Sequence, residues 1–409
     1  MTRQSGNNGA GRSADDLALL ALCERRAGTA GPPPRPTGHY SHVPTVRHLY
    51  VHVPFCAHRC GYCDFVTVTG HDDQHAPYVA ALLAELHRSP YLDPEAVETV
   101  FVGGGTPTLL GPELLGRLLD GLPAAAERTV ECNPETVTPE LARTLADRGL
   151  RVSLGAQSFQ APLLAVLERR ATPAVVEGAV ATLREAGVEN LSLDVIHGIP
   201  GQDRALLDAD LDRLVALAPD HCSVYELEAK PGTRFTRAHG ADLARQGELM
   251  EEHYERVIER LEGAGFTWYE SASFARPGHE SRHNLAYWLG RDYLGIGVGA
   301  VSTIGTERRV NSPRLAAYLT SIAAAEPAPS RIEIVPAATR QRERLMLGLR
   351  LAEGVERATV DDAIDPDALA LLVAHDVVVE RGGRIVLERR GRLLVNDVVA
   401  RLLRDAGRP

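Results

Sequence analysis

Three cysteines stand close together in Tyr50-Val-His-Val-Pro-Phe-Cys56-Ala-His-Arg-Cys60-Gly-Tyr62-Cys63-Asp-Phe65, at a Cys-x3-Cys-x2-Cys spacing. Thiols at that density point to metal ligation rather than to stapling a fold. Three thiolates can wrap one cubane iron–sulfur cluster, whereas a set of four saturates its irons. Three leave one iron open, and an open position suits binding a reactant, as in catalytic metal sites. Zinc is the competing ion, with His52 or His58 as a fourth ligand, but no second Cys/His pair follows at finger spacing. Cys23, Cys132 and Cys222 are dispersed, and a large chain with reduced thiols needs no disulfide framework.

Further polar residues fall where short apolar runs end. Val102-Gly103-Gly104-Gly105-Thr106-Pro107 follows one such run. Glycines there allow close backbone approach, and free N–H groups can hold a carboxylate or carbonyl. Glu131, in Val-Glu131-Cys-Asn133-Pro134, suits a ribose hydroxyl or an ammonium, and equally a helix cap or surface ion pair. Gln157 lies just past the next run and Arg169 in the helix after it. Asp194 sits inside an apolar run, where an acid is costly unless paired or liganded.

The elements that must position these residues are legible as alternating patterns. Apolar runs at Leu49–Val53, Val97–Val102, 128–132, 152–154, 191–196 and 223–227 read as buried strands. Amphipathic segments at 78–87, 112–122, 139–148, 163–168, 173–186 and 206–217 read as helices between them. Thr172 caps the helix that opens on Pro173. Strand–helix alternation implies an α/β fold with parallel strands, a partial (β/α)6 barrel of the TIM type. Reactive groups in such folds gather at the strand C-terminal ends, where these motifs lie.

The pattern predicts four regions. Residues 1–45, rich in Pro and Gly, read as a disordered tail with a short helix over 15–26. Residues 46–275 hold the barrel, with an extra strand at 267–271. Residues 276–335 form a functional loop region and a linker marked by Pro327 and Pro329. Residues 336–409 form a small α+β module with winged-helix-like element order, including a hairpin at 376–387 around Gly382-Gly383 and a final helix over 391–404.

Composition bounds the partners. The chain has 409 residues, a net charge of -10 and 44% hydrophobic residues. Without a basic run, nucleic acid is not an expected partner. No apolar stretch reaches the ~18 residues of a membrane span, and no secretory pattern opens the chain. A cytoplasmic location is the expectation.

The cysteine spacing, with the aromatic Tyr62 before the last thiol, resembles the signature of the radical S-adenosylmethionine superfamily. The resemblance implies a [4Fe–4S] cluster on Cys56, Cys60 and Cys63, whose open iron chelates the amine and carboxylate of S-adenosylmethionine. An electron, from a donor such as flavodoxin or ferredoxin, then cleaves the sulfonium to a 5′-deoxyadenosyl radical. It further implies that Gly104, Gly105 and Thr106 hold the methionine moiety, with Tyr50, Tyr62, Glu131, Gln157, Arg169 and Asp194 completing the cofactor-binding set.

From about Tyr50 onward the chain resembles the coproporphyrinogen III dehydrogenase-like group. The dehydrogenase carries a cysteine two positions after the third ligand, where this chain has Phe65. It also lacks Arg282-His283-Asn284-Leu-Ala-Tyr287-Trp288. That His-Asn-x2-Tyr-Trp motif resembles the HemW heme chaperone family and implies heme binding by His283. Neutral imidazole is a good axial iron ligand, and flanking aromatics suit a flat macrocycle. Val301 stands where that family often has a histidine, so the loop at 297–302 offers no second one. The resemblance implies a chaperone that binds heme and passes it to a heme-accepting protein, a membrane respiratory complex among the candidates. A homodimer is compatible with it. The alternatives are the oxygen-independent dehydrogenase itself and a radical methyltransferase or cyclopropanating enzyme.

Overall fold

A computed structural model describes residues 45–230 and 234–404. The tail expected over 1–45, with its short helix, lies outside the described residues apart from Thr45. Strands and helices alternate as β1 (His48–Val53), α1 (His75–Arg88), β2 (Thr99–Gly104), α2 (Gly111–Asp120), β3 (Glu127–Cys132), α3 (Pro139–Ala146), β4 (Arg151–Gln157), α4 (Ala161–Val166), α5 (Pro173–Glu185), β5 (Leu191–His197), α6 (Arg204–Ala216) and β6 (His221–Glu226). These strands pair in parallel and in chain order, so β1 to β6 form the expected α/β sheet. Val51, Val102, Val130, Leu154 and Leu193 fill one continuous core against the helices. Several helix starts are dictated locally. Thr138, Thr172 and Asp203 accept the backbone N–H groups of Leu141, Val175 and Leu206, each cap contributing about 1 kcal/mol.

After α7 (Arg234–Gly247) and α8 (Met250–Gly263), the sheet grows at both edges. β7 (Thr267–Glu270) is the extra strand the sequence pattern predicts. It pairs antiparallel with β8 (Ser273–Ala275), and β8 with β6. α9 (Arg282–Trp288) carries the His283 motif, and β9 (Leu294–Ile296) adds in parallel to the free edge of β1. Sequence periodicity misses β8 and β9 because three residues show no period.

The region expected as loop and linker is more ordered than the sequence pattern implies. β10 (Val301–Ile304), β11 (Glu307–Asn311) and, past α10 (Leu315–Ala323), β12 (Ser330–Ile334) form a second, antiparallel sheet. The chain beyond Pro329 is therefore a strand, its ladder bonds compensating for the exposed polar backbone.

α11 (Ala337–Gly348), β13 (Val355–Glu356), α12 (Pro366–Ala374), β14 (Val378–Arg381), β15 (Arg384–Leu387), α13 (Arg389–Leu393) and α14 (Val395–Leu402) complete the chain. They surround a separate core that includes Leu345, Leu349, Ile385 and Leu402. The hairpin turns through Gly382 and Gly383, both at positive φ. The single final helix that the pattern predicts is broken at Leu394. This module is tied to the barrel by Ser271 N–H donating to Arg350 O at 3.0 Å and Ala352 N–H to Tyr269 O at 2.9 Å.

Candidate functional site

The cysteine loop leaves β1 at Pro54 and is pinned at its root. The Cys56 N–H donates to Val68 O at 2.9 Å, and the Val68 N–H returns to Pro54 O at 2.9 Å. Cys56, Cys60 and Cys63 line one cavity of about 490 Å³, shared with Gly104, Gly105, Thr106, Glu131, Gln157, Arg169 and Asp194. The strand ends thus bring together the residues that the sequence selects from positions 56 to 194. Burial pushes the Cys56 and Cys63 thiols up, so holding them as thiolates falls to a metal centre and to nearby donors. Two donors are in place: Thr106 Oγ1 lies 3.7 Å from Cys56 Sγ and an Arg169 guanidinium nitrogen 3.7 Å from Cys60 Sγ. Hydrogen bonds to cluster sulfurs tune a cluster's potential.

Among the described residues, no three His, Cys, Asp or Glu side chains converge tightly enough for a single metal ion. His52, a candidate fourth ligand for zinc, has both ring nitrogens engaged. Its Nε2 donates to Val66 O at 2.8 Å and its Nδ1 accepts from Tyr50 OH at 3.0 Å. His52 is therefore not free to be a fourth ligand, whereas His58 lines the same cavity as the thiols.

Arg169 is the hub of the mouth. It also donates to Asn133 Oδ1 at 3.0 Å and Gly155 O at 3.1 Å, and Asn133 Nδ2 donates to Thr106 Oγ1 at 2.9 Å. Asn133 thus links the arginine to the Gly-rich loop, a role the sequence reading did not assign although the residue lies in the Glu131 motif. Tyr62 packs against the small apolar cluster of Leu163, Leu167 and Ile196. Gln157 is held at φ 65°, where β4 shifts register against β5. A Cβ on Gly155 would lie 2.8 Å from the Gln157 amide, so that glycine clears the amide's path into the cavity.

The glycines of the second loop are required by contact. A Cβ on Gly104, which sits at φ 113°, would lie 2.4 Å from the His52 ring. One on Gly105 would meet the Pro54 and Phe55 backbone at 2.7 Å. The Gly104 N–H donates to Glu131 Oε2 at 2.8 Å. Burial raises the Glu131 carboxyl to about 7 and the Asp194 carboxyl to about 6. Ser153 Oγ donates to Asp194 Oδ2 at 2.9 Å, while Asp194 Oδ1 has no partner.

Below these acids lies a second, smaller chamber of about 250 Å³ inside the barrel. Glu131, Asp194, Phe65 and Tyr225 line both spaces, and the ring of Tyr50 forms part of the inner wall. α9 closes the floor of this chamber. Glu127 at the start of β3 accepts the backbone N–H groups of Arg282 and His283, each at 2.9 Å. His283 Nδ1 shares a 2.8 Å hydrogen bond with Thr99 Oγ1, and its ring stacks on Phe101 at 5.2 Å. His283 Nε2 is buried without a partner, and burial lowers the imidazole pKa to about 3. His283 therefore stands at the opposite end of the barrel from the thiols.

Residues 50–214 match the model of the radical SAM superfamily. The heme chaperone HemW of Mycobacterium tuberculosis (strain ATCC 25618 / H37Rv) is 39% identical over 370 residues, covering 87% of this chain and 94% of that protein. The heme chaperone HemW of Bacillus subtilis (strain 168) is 32% identical over 380 residues, covering 88% and 99%. Among solved structures, the coproporphyrinogen III oxidase HemN of Escherichia coli aligns with a TM-score of 0.72 at 22% identity, over 94% of this chain and 92% of that one. At that identity the likeness establishes the fold. The sequence relatives reach further: this chain belongs to the heme chaperone HemW family within the radical SAM superfamily.

Proposed function

We propose that the protein is a cytoplasmic heme chaperone that carries a [4Fe–4S] cluster with bound S-adenosylmethionine and hands heme to an acceptor protein. The supporting observation is one cavity lined by the three thiols, the glycine loop, Glu131 and Asp194, on a chain whose relatives are named heme chaperones. A cluster on the three cysteines supplies an open iron and a single electron. Gly104, Gly105 and Thr106 offer a narrow backbone channel for the methionine end. Glu131 and Asp194 present acceptors, Asp194 Oδ1 still free, to an ammonium or ribose hydroxyl. Arg169, Asn133 and Thr106 hold the geometry through one hydrogen-bonded chain, and Tyr62 and Gln157 line the approach.

For the heme, His283 is the ligand that family resemblance selects, and its Nε2 has no hydrogen-bond partner. The chamber around it is about 250 Å³, below the ~300–1,000 Å³ of ordinary ligand sites. Ligation by His283 therefore requires α9 to leave the barrel floor. Dehydrogenase chemistry is disfavoured by Phe65, an exposed apolar ring where the dehydrogenase carries a cysteine. The test is anaerobic reconstitution with iron and sulfide, then hemin titration and incubation with coproporphyrinogen III. A stoichiometric Soret band without protoporphyrinogen is expected. Absence of the band defeats the chaperone reading, and protoporphyrinogen formation replaces it with the dehydrogenase.

A further inference from the structure

The second sheet runs β10–β11–β12, so β12 is an outer strand. Its pairing with β11 fixes which of its backbone groups are used. The Val335 N–H donates to Thr306 O at 2.8 Å past one end of the strand, and the Ser312 N–H donates to Pro329 O at 2.6 Å past the other. Positions 329 and 335 therefore bond inward, and the alternation of an antiparallel ladder turns Arg331 and Glu333 the same way. The N–H and C=O groups of Ser330, Ile332 and Ile334 face outward and have no partner among the described residues. Every residue of β12 is exposed, Ile332 by 51% and Ile334 by 67%, and these two share one face of the strand. An exposed edge with apolar side chains is a template for another strand. Pro329 and Pro336 bracket it, and proline confines a ladder.

The strand's own residues say which partner fits. Ser330-Arg331-Ile332-Glu333-Ile334 is complementary to itself in reverse. With Ile332 on a two-fold axis, an antiparallel second copy sets Arg331 against Glu333 and Ile332 against Ile332. The outward groups of Ser330, Ile332 and Ile334 then meet as hydrogen-bonded pairs, and the contact is isologous. A slip by one pair sets Arg331 against Arg331, or Glu333 against Glu333, so charge selects the register. Neither side chain has an ion-pair partner among the described residues. Arg308, across the sheet from Glu333, is already committed to Glu343 at 2.9 and 2.7 Å.

We propose that β12 is an interface with a second copy of this chain, paired edge to edge and antiparallel about Ile332, so that the two antiparallel sheets become one. Such pairing needs no heme and leaves the barrel mouth untouched. Three outward-facing residues a side make a small contact, so the dimer is weak, with a Kd of about 10 µM.

The test is sedimentation velocity of the anaerobically reconstituted full chain from about 1 to 200 µM. The wild type is expected to pass from one chain to two over that range. Ile332→Pro removes an outward N–H and no bond to β11, and is expected to stay monomeric throughout. R331E is expected to weaken the dimer about tenfold, and R331E with E333R to restore it to within a factor of about three. Unchanged thermal melting and iron content establish that each variant is folded, and R331E alters only an exposed side chain. A wild type that is monomeric at every concentration overturns the interface. So does a dimer unchanged by Ile332→Pro or by R331E, or a double variant no tighter than R331E.

Discussion

The two ends of the barrel are built on different principles. At the mouth, loops leave strand ends with side chains facing an open cavity, and glycines hold the space clear. At the floor, the last residues to join are pulled shut: Glu127 grips two N–H groups of α9, and His283 is pressed on Phe101. The mouth is pre-formed for a ligand, whereas the floor has its candidate ligand in a closed position. Anything that uses His283 must first undo packing.

The largest expected contrast is in metal binding. Cys60→Ser should abolish the cluster, read as iron content and cluster spectroscopy after anaerobic reconstitution. Cys222→Ser should leave it intact, because Cys222 is buried in the core outside the cavity of the three thiols, and burial pushes its thiol up. Equal losses in both variants would erase the distinction between the mouth and the core.

Gly104→Ala comes next. Positive φ and a 2.4 Å approach to His52 should cost about 2–4 kcal/mol, measured by urea unfolding. Asn284→Ala, on the floor helix, should cost less than half as much. A Gly104 variant of wild-type stability would mean that the mouth is not held as tightly as its contacts imply.

The third prediction uses pH. Burial raises the folded Glu131 carboxyl to about 7 from the ordinary 4.5 of a glutamate, so the folded state holds a proton that the unfolded state gives up. That stabilisation is fully present below the unfolded value and is lost as pH rises through about 7. It amounts to at most about 3 kcal/mol. Glu131→Gln should flatten the ligand-free stability profile between pH 5 and 8. A profile unchanged by Glu131→Gln would remove the acid from the buried position assigned to it.

The smallest effect is at the floor. Glu127→Gln weakens the charged cap of α9 by about 1 kcal/mol. Amide exchange over 282–288 should accelerate about fivefold, with protection of β1 and β2 unchanged. Exchange that rises equally at the mouth would show one cooperative unit in place of two separable ends.

Much of this was readable in advance because it rests on local rules. Thr172 caps its helix where the sequence predicts, and the valine and leucine runs are the buried strands. The extra strand at 267 and the Gly382-Gly383 hairpin also follow from pattern. The three-residue β8 and β9 did not, since they are strands only because β6 and β1 offer free edges. Asn133 carries no signal of its own, because its role depends on Arg169 arriving from 36 residues away.

The sequence by itself determined the donor set: three thiols at cluster spacing, a glycine loop, and acids at strand ends. Those are choices of residue type along one chain, and spacing is enough to reveal them. Only the tertiary structure decided where each donor faces. It brought positions 56 to 194 into one mouth and placed His283 behind a latched helix. The reason is physical: whether a buried polar atom is satisfied, crowded or open depends on its neighbours in space, and a sequence orders only its neighbours along the chain.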